Sequence, residues 1–191
     1  MSYAEKFLKS KGQDCVINRL VPIDTKVSIK RSTNASRDLG AREGYWEGLI
    51  PYSNKLVSGE YITVDNEKYL VQSANYDFTS KETIFFCAKC NAVIQHKRYV
   101  DTTDEDYNVI QTWQTLKSDV ACYGSVVTYR MTQEAPGLLE GTKYTFQVPK
   151  DLGVELLDRF VFNDKNYQVA SIDPIGLDGV IQAQLSSDLR V

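Results

Sequence analysis

The stretch Ile62-Thr63-Val64-Asp65-Asn66-Glu67-Lys68-Tyr69-Leu70-Val71-Gln72-Ser73-Ala74 returns 98 residues later as Phe160-Val161-Phe162-Asn163-Asp164-Lys165-Asn166-Tyr167-Gln168-Val169-Ala170-Ser171-Ile172. Tyr69 falls on Tyr167, Val71 on Val169 and Ser73 on Ser171. In each copy two apolar runs flank a polar cluster of four residues, the pattern of two strands joined by a tight hairpin. A further β-prone run follows both copies, Thr83–Cys87 after the first and Gly179–Leu185 after the second. Similarity at this spacing predicts a mainly β protein of two small β-barrel or β-sandwich-like modules in tandem.

Working outward from the repeat, Ser2–Gly12 reads as a short amphipathic helix, with Ser2 as cap, Glu5 in the first turn and Gly12 as stop. A helix this short has to dock on something to persist. Asp14–Val21 and Thr25–Lys30 read as an antiparallel pair with Cys15, Ile17, Val27 and Ile29 inward. Between Arg31 and Glu47 the apolar pattern gives way to Ser, Asn, Asp, Arg and Gly, a long polar excursion for a compact domain. Four acids in Asp101–Asp106 read as a solvated linker. That places one module at 1–100, with the helix and the loop near 31–47, and the other at 107–191. Tyr107–Leu116 fits a helical face and a twisted strand about equally, whereas Tyr144–Val148 alternates as a half-buried strand ended by Pro149.

Composition narrows the function classes. A net charge of -3, with Lys26, Lys30, Arg31, Arg37 and Arg42 interleaved with Asp24, Asp38 and Glu43, gives no concentrated positive footprint for gripping phosphate. No apolar run reaches the roughly 20 residues that span a bilayer, and the N-terminal residues lack a secretory h-region, so synthesis in the cytoplasm and no membrane partner are expected. Four cysteines in 191 residues are too sparse for a disulfide scaffold.

Cys87-Ala88-Lys89-Cys90 is the one local motif with chemical meaning. The spacing serves zinc or a redox pair. Zinc needs two more ligands, and His96, Cys122 and Cys15 are scattered, so unligated structural cysteines are the favoured reading, with Cys87 and Cys90 as weak metal candidates and no cofactor expected. His96 stands in a polar run without an evident acid and reads as a surface residue. No glycine cluster forms a phosphate cradle. No catalytic residue is expected, and the protein is not expected to be an enzyme. The better candidates are loops that meet other subunits: Arg31, Arg37, Arg42 and Trp46 around the polar excursion, Asn75 and Asp77 after the first repeated hairpin, and Asp173 and Asp178 after the second.

Ile17-Asn18-Arg19, Gly48-Leu49-Ile50-Pro51, Gly59-Glu60-Tyr61-Ile62 followed by Tyr69-Leu70-Val71, and the run Asp158–Val169, taken with the N-terminal helix, resemble segments of the structural proteins of tailed bacteriophages and prophages. The resemblance is to small head-tail joining, head-completion or tail-completion proteins. It covers about half the chain, on hairpin motifs of low specificity. It implies a non-enzymatic virion component made in the host cytoplasm, which forms a homo-oligomeric ring with portal, connector or tail components around a DNA passage without specific contact to DNA. Two related segments in one chain depart from single-module connectors. That leaves open a baseplate or other particle interaction module, and after it a zinc-binding protein.

Overall fold

The structure, a computed structural model, describes residues 3–32, 44–79, 81–103, 107–128, 131 and 137–190. Helix α1 (Tyr3–Lys11) leads into β1 (Gln13–Asn18), β2 (Ile23–Arg31), β3 (Tyr45–Pro51), β4 (Tyr61–Val64), β5 (Glu67–Asp77) and β6 (Glu82–Lys89). These six strands close into an antiparallel barrel in the order β1-β2-β3-β6-β5-β4. Strands β7 (Ala92–Thr103), β8 (Val109–Val126), β9 (Tyr144–Pro149), β10 (Arg159–Phe162), β11 (Lys165–Leu177) and β12 (Val180–Ser187) close a second barrel, in which β7 takes the place of β1, β8 of β2, and so on through β12 for β6. The modules are therefore barrels rather than sandwiches, and closure leaves neither sheet with a free edge along its paired length.

The repeat is carried into the backbone. Asp65 and Asn66 take φ of 50° and 65°, Asn163 and Asp164 49° and 57°, so both hairpins turn through two left-handed residues. This is the two-residue turn whose twist matches the strands it joins, and Asn and Asp tolerate that conformation. The pairs Val64–Glu67 and Phe162–Lys165 close the two turns. A β-bulge then falls between Val71 and Ser73 in one barrel and between Val169 and Ser171 in the other. Short 3-10 turns, Tyr52–Asn54 and Lys150–Leu152, follow Pro51 and Pro149, and each ends on a left-handed residue, Lys55 or Gly153.

Inside, the barrels solve the same packing problem with opposite residues. On neighbouring strands Gly48 faces Phe85 in the first barrel, and in the second Phe146 faces Ala183 at the corresponding places. A Cβ on Gly48 would lie 2.4 Å from the Phe85 ring and 2.8 Å from the Ser28 carbonyl oxygen. In the second barrel the ring of Phe146 instead fills the space beside Gly124, where a Cβ would sit 2.3 Å from it. One large ring per layer, set against a residue without bulk, keeps both interiors close-packed.

One expectation needs correcting. The acidic run at 101–106 is not the break between modules: β7 already pairs with β10 and β8 of the second barrel, and the chain crosses from one barrel to the other at Cys90-Asn91. Residues 101–103 end β7 instead, while 104–106 lie outside the described residues. A hairpin tip and a linker ask for the same polar residues, which is why composition alone does not separate them. Of the two readings left open for Tyr107–Leu116, the strand is the one found: the segment contains the beginning of an 18-residue strand.

Gly48→Ala is expected to lower stability by about 1–3 kcal/mol in chemical denaturation, because the added methyl group overpacks against Phe85. Combining it with Phe85→Leu is expected to recover part of the loss, and a Gly48→Ala protein as stable as the original would refute this account of the first barrel's core.

Candidate interaction site

At one corner of each barrel an arginine clasps an acid at the start of the strand that closes the sheet. Arg19 Nη2 donates to Glu60 Oε2 at 2.8 Å and to the Lys55 carbonyl at 2.8 Å, Nε donates to Glu60 Oε1, and the Val57 N–H donates to Glu60 Oε2 at 3.0 Å. Ninety-eight residues on, Asp158 replaces Glu60. Arg98 Nε and Nη2 each donate to it at 2.8 Å, Nη2 also reaches the Gly153 carbonyl at 2.8 Å, and the Glu155 N–H donates to Asp158 Oδ2 at 2.8 Å. A planar guanidinium matched to both carboxylate oxygens is the strong geometry for such a pair.

The second clasp has an additional member. His96 Nε2 lies 2.7 Å from Asp158 Oδ2, and both side chains are sealed, 0% and 2% exposed. His96 fills the place of Ile17 in the first barrel and packs edge-on against Phe160. This corrects its reading as a surface residue. The even-numbered alternation of Ile94 and His96 was the available signal, masked by the charged residues that follow. Burial alone pushes Asp158 upward, but the bonds from Arg98, His96 and the Glu155 N–H outweigh it and hold the carboxyl at about 2. The carboxylate therefore accepts and His96 Nε2–H donates, which leaves Nδ1 buried without a partner. Sealed in the barrel wall, the pair acts as a strut for the corner.

The predicted site residues scatter. Arg31 ends β2 opposite Trp46, and Arg37 and Arg42 lie outside the described residues. Trp46 is half-buried against the first core, edge-to-face with Tyr69 at 5.7 Å. Asn75 and Asp77 end β5, where Asp77 accepts from the Thr79 N–H at 2.8 Å. Asp173 accepts from the Ile175 and Gly176 N–H groups at 2.9 and 3.0 Å and so shapes its own turn. Cys87 points into the first core and Cys90 is half-buried; burial pushes both thiols up, Cys90 to about 12, so neither is a ready thiolate. Among the described residues no three His, Cys, Asp or Glu side chains gather in a metal-holding group.

Asp178 meets the other barrel: its carbonyl accepts the Ser58 hydroxyl at the seam between the barrels. Gly59 and Gly179 touch backbone to backbone there, since a Cβ on Gly59 would lie 2.3 Å from the Gly179 oxygen. Tyr61 Oη donates to the Ala121 carbonyl at 2.5 Å, Gln72 Nε2 donates to Gln147 Oε1 at 2.6 Å, and the Tyr45 and Tyr123 rings meet at a tilt, 5.2 Å between centroids. A cleft of about 350 Å³ opens beside these glutamines and is lined also by Asp173 and Gly176.

The feature that sequence reading missed is an arm. Beyond Lys97, β7 pairs with β8 alone, and β8 meets β9 only from Tyr123 onward, so Arg98–Thr103 and Val109–Gln114 form a two-stranded ribbon standing off the barrel. Val109 is 72% and Tyr107 88% exposed, with Ile110, Leu116 and Tyr99 also open to solvent. The root is anchored. Trp113 lies under the Arg159 guanidinium at 3.6 Å and near that of Arg190 at 4.9 Å, with the Tyr99 ring at 4.8 Å. Asp188 binds both arginines, at 2.7 and 2.8 Å, and burial's upward push on it is outweighed by those bonds, which hold it at about 2. No family model matches the chain, and no curated protein matches it.

Asp158 and Asp188 both titrate below the ordinary carboxylate value of 3.8 when folded. Their contribution to stability is thus complete above about pH 4 and is lost as pH falls toward 2. The melting temperature is expected to drop across that window. Asp158→Asn is expected to destabilise the neutral protein by about 3 kcal/mol, because Arg98 loses its buried partner, and to flatten the acid drop. An unchanged acid profile in this variant would remove Asp158 from the explanation.

Proposed function

We propose that the protein is a structural adaptor of a tailed-phage particle, seated at the neck or tail interface around the DNA passage and joined to portal, connector or tail components through the β7–β8 arm. The arm is the observation that carries this reading. A two-stranded ribbon is marginal by itself in water, and this one leaves apolar side chains of both faces uncovered. Val109 lies on the face of Trp113 and Ile110 on the opposite one, by the alternation of side chains along a strand. Its outer edges, beyond the last pairs to β10 and β9, present backbone donors and acceptors that a partner's strand can complete.

A protein partner fits the arm better than DNA does. Four acids fall in the sequence from Asp101 to Asp106, which begins within β7, and like charge repels phosphate. The anchored root supports the same reading, because a ribbon held at Trp113 presents its outer half in a fixed direction and loses less freedom on docking. The sequence resemblance to head-tail joining and completion proteins supplies the particle, and the tandem barrels supply the body from which the arm projects.

Val109→Asp with Ile110→Asp places charge on both faces of the arm without touching either core. In pull-down and particle-reconstitution assays with portal, connector and tail-tube proteins, the wild-type chain is expected to bind, and the double variant to lose at least tenfold in affinity. Binding that survives the double substitution would remove the arm from the interface, and a wild-type chain that binds none of these components would overturn the particle reading.

A further inference from the structure

On one outward face the second barrel carries a polar row that the first does not. Asp173 on β11 stands opposite Gln182 on β12, Gln182 opposite Gln147 on β9, and Gln147 opposite Tyr123 on β8. The corresponding row of the first barrel is Asn75, Ile84, Leu49 and Ser28. The fold accepts aliphatic side chains at the two central positions, so closure of the sheet does not account for the two glutamines.

The backbone beside the row differs too. In the first barrel the ladder runs unbroken from the pair Asn75–Ile84 to the pair Asp77–Glu82. In the second, Pro174-Ile175-Gly176 stand against Ile181 alone, between the pairs Asp173–Gln182 and Leu177–Val180. A bulge of this kind re-aims the side chains beside it. This one folds back on Asp173, whose Oδ1 accepts from the Ile175 and Gly176 N–H groups at 2.9 and 3.0 Å. Oδ2 has no partner among the described residues, and a Cβ on Gly176 would lie 2.6 Å from it, so glycine keeps that oxygen open.

The first barrel walls the row from the side with Gln72, bonded to Gln147 at 2.6 Å, and with Tyr45 beside Tyr123. The cleft of about 350 Å³ lies between them, and Leu177 and Val180 give it an apolar lining. That volume is at the small end of the range for small-molecule sites, about 300–1,000 Å³.

Its chemistry selects the ligand. No basic side chain is among the described residues that line it, so an anion would meet Asp173 uncompensated. The exposed Gln182 amide offers a donor and an acceptor together and has no partner among the described residues, whereas Asp173 Oδ2 only accepts. A hydroxyl group answers both, since it donates to the carboxylate and both donates to and accepts from the amide. Neighbouring strands lie about 4.8 Å apart, so the hydroxyls that serve them have to be carried on a rigid frame, as they are on a sugar ring. The C–H face of such a ring has Tyr45, Leu177 and Val180 to lie on.

We propose that this cleft binds a neutral saccharide, held by Asp173 and Gln182 of the second barrel and by Gln72 and Tyr45 of the first. Both barrels contribute, so the bound sugar also ties them together. The site uses neither the arm nor the assembly reading above.

Screening the full chain on an array of neutral glycans, followed by calorimetric titration of the strongest binder, tests it. Wild-type protein is expected to bind, and its melting temperature to rise with glycan concentration. Gln182→Ile, which installs the residue the first barrel carries, is expected to be folded and to lose affinity by about tenfold or more. Asp173→Asn keeps an acceptor for the turn and is expected to lose as much. Glucose 1-phosphate and spermidine, as anionic and cationic probes, are expected to bind at least about tenfold more weakly than the glycan. Any one of three results overturns the proposal: an array without a neutral binder, full affinity in Gln182→Ile, or tighter binding of either charged probe. The arm variant Val109→Asp/Ile110→Asp is expected to bind the glycan as the wild type does, so loss of particle binding and loss of sugar binding are read separately.

Discussion

Each barrel depends on one closure, β1 to β4 in the first and β7 to β10 in the second, and each closing strand is entered through a corner held by an arginine and an acid. β4 and β10 are four residues long. Their few ladder bonds are supplemented by the clasp, which ties the loop before them to the end of the first strand and to a left-handed carbonyl. A carboxylate with almost no exposure, as at Asp158, is tolerable only with partners for both oxygens, so sheet closure and charge pairing are one event. The first barrel runs the same corner wetter, with Glu60 at 17% exposure, and needs no histidine behind it.

Local signals in the chain were enough for the hairpins. Asp65-Asn66 and Asn163-Asp164 between alternating apolar residues specify both turns, and the shared register that follows them gave away the duplication. The clasps were illegible because their partners stand 41 and 60 residues apart, and nothing near Arg19 or Arg98 announces an acid. His96 was misread for a related reason: its neighbours Gln95, Lys97 and Arg98 suggest water, and only the strand's alternation turns it inward. Trp46 reads as an interface residue by type, yet its position opposite Arg31 on β3 sets it against Tyr69 and the first core. The arm was obscured because Tyr107, Ile110 and Trp113 keep helical spacing, while the register against β7 that makes them strand residues is a tertiary fact.

The outward faces follow a rule of coverage. Ala121 in the second barrel, which receives Tyr61 across the seam, corresponds to Lys26 in the first, and there α1 ends: a Cβ on Gly12 would lie 3.1 Å from the Lys26 Cβ. The same strand surface is thus closed by a helix in one copy and by a whole barrel in the other. Tyr61 corresponds to Arg159, which is covered by Trp113 of the arm and tied to the C-terminal segment through Asp188 and the Arg190 carbonyl. Terminal units of repeat proteins need such capping, because a face built to stack on a neighbour is otherwise left to water.

Divergence between the copies then separates what the fold requires from what it permits. The turns, the bulges, the clasps and the left-handed loop positions have held in both, and even the core exchanges Gly48 and Phe85 for Phe146 and Ala183 without moving the strands. The large differences lie where the backbone does not care: a short β1–β2 connection against a long β7–β8 arm, Ser58-Gly59 against Leu156-Leu157, a two-residue turn against a four-residue turn bearing Phe78. Differences that leave the interior untouched and add apolar groups to solvent do nothing for either barrel alone. A leucine at positive φ and a ribbon with exposed apolar side chains both raise the energy of the chain in water, so the backbone tolerates these differences without gaining from them.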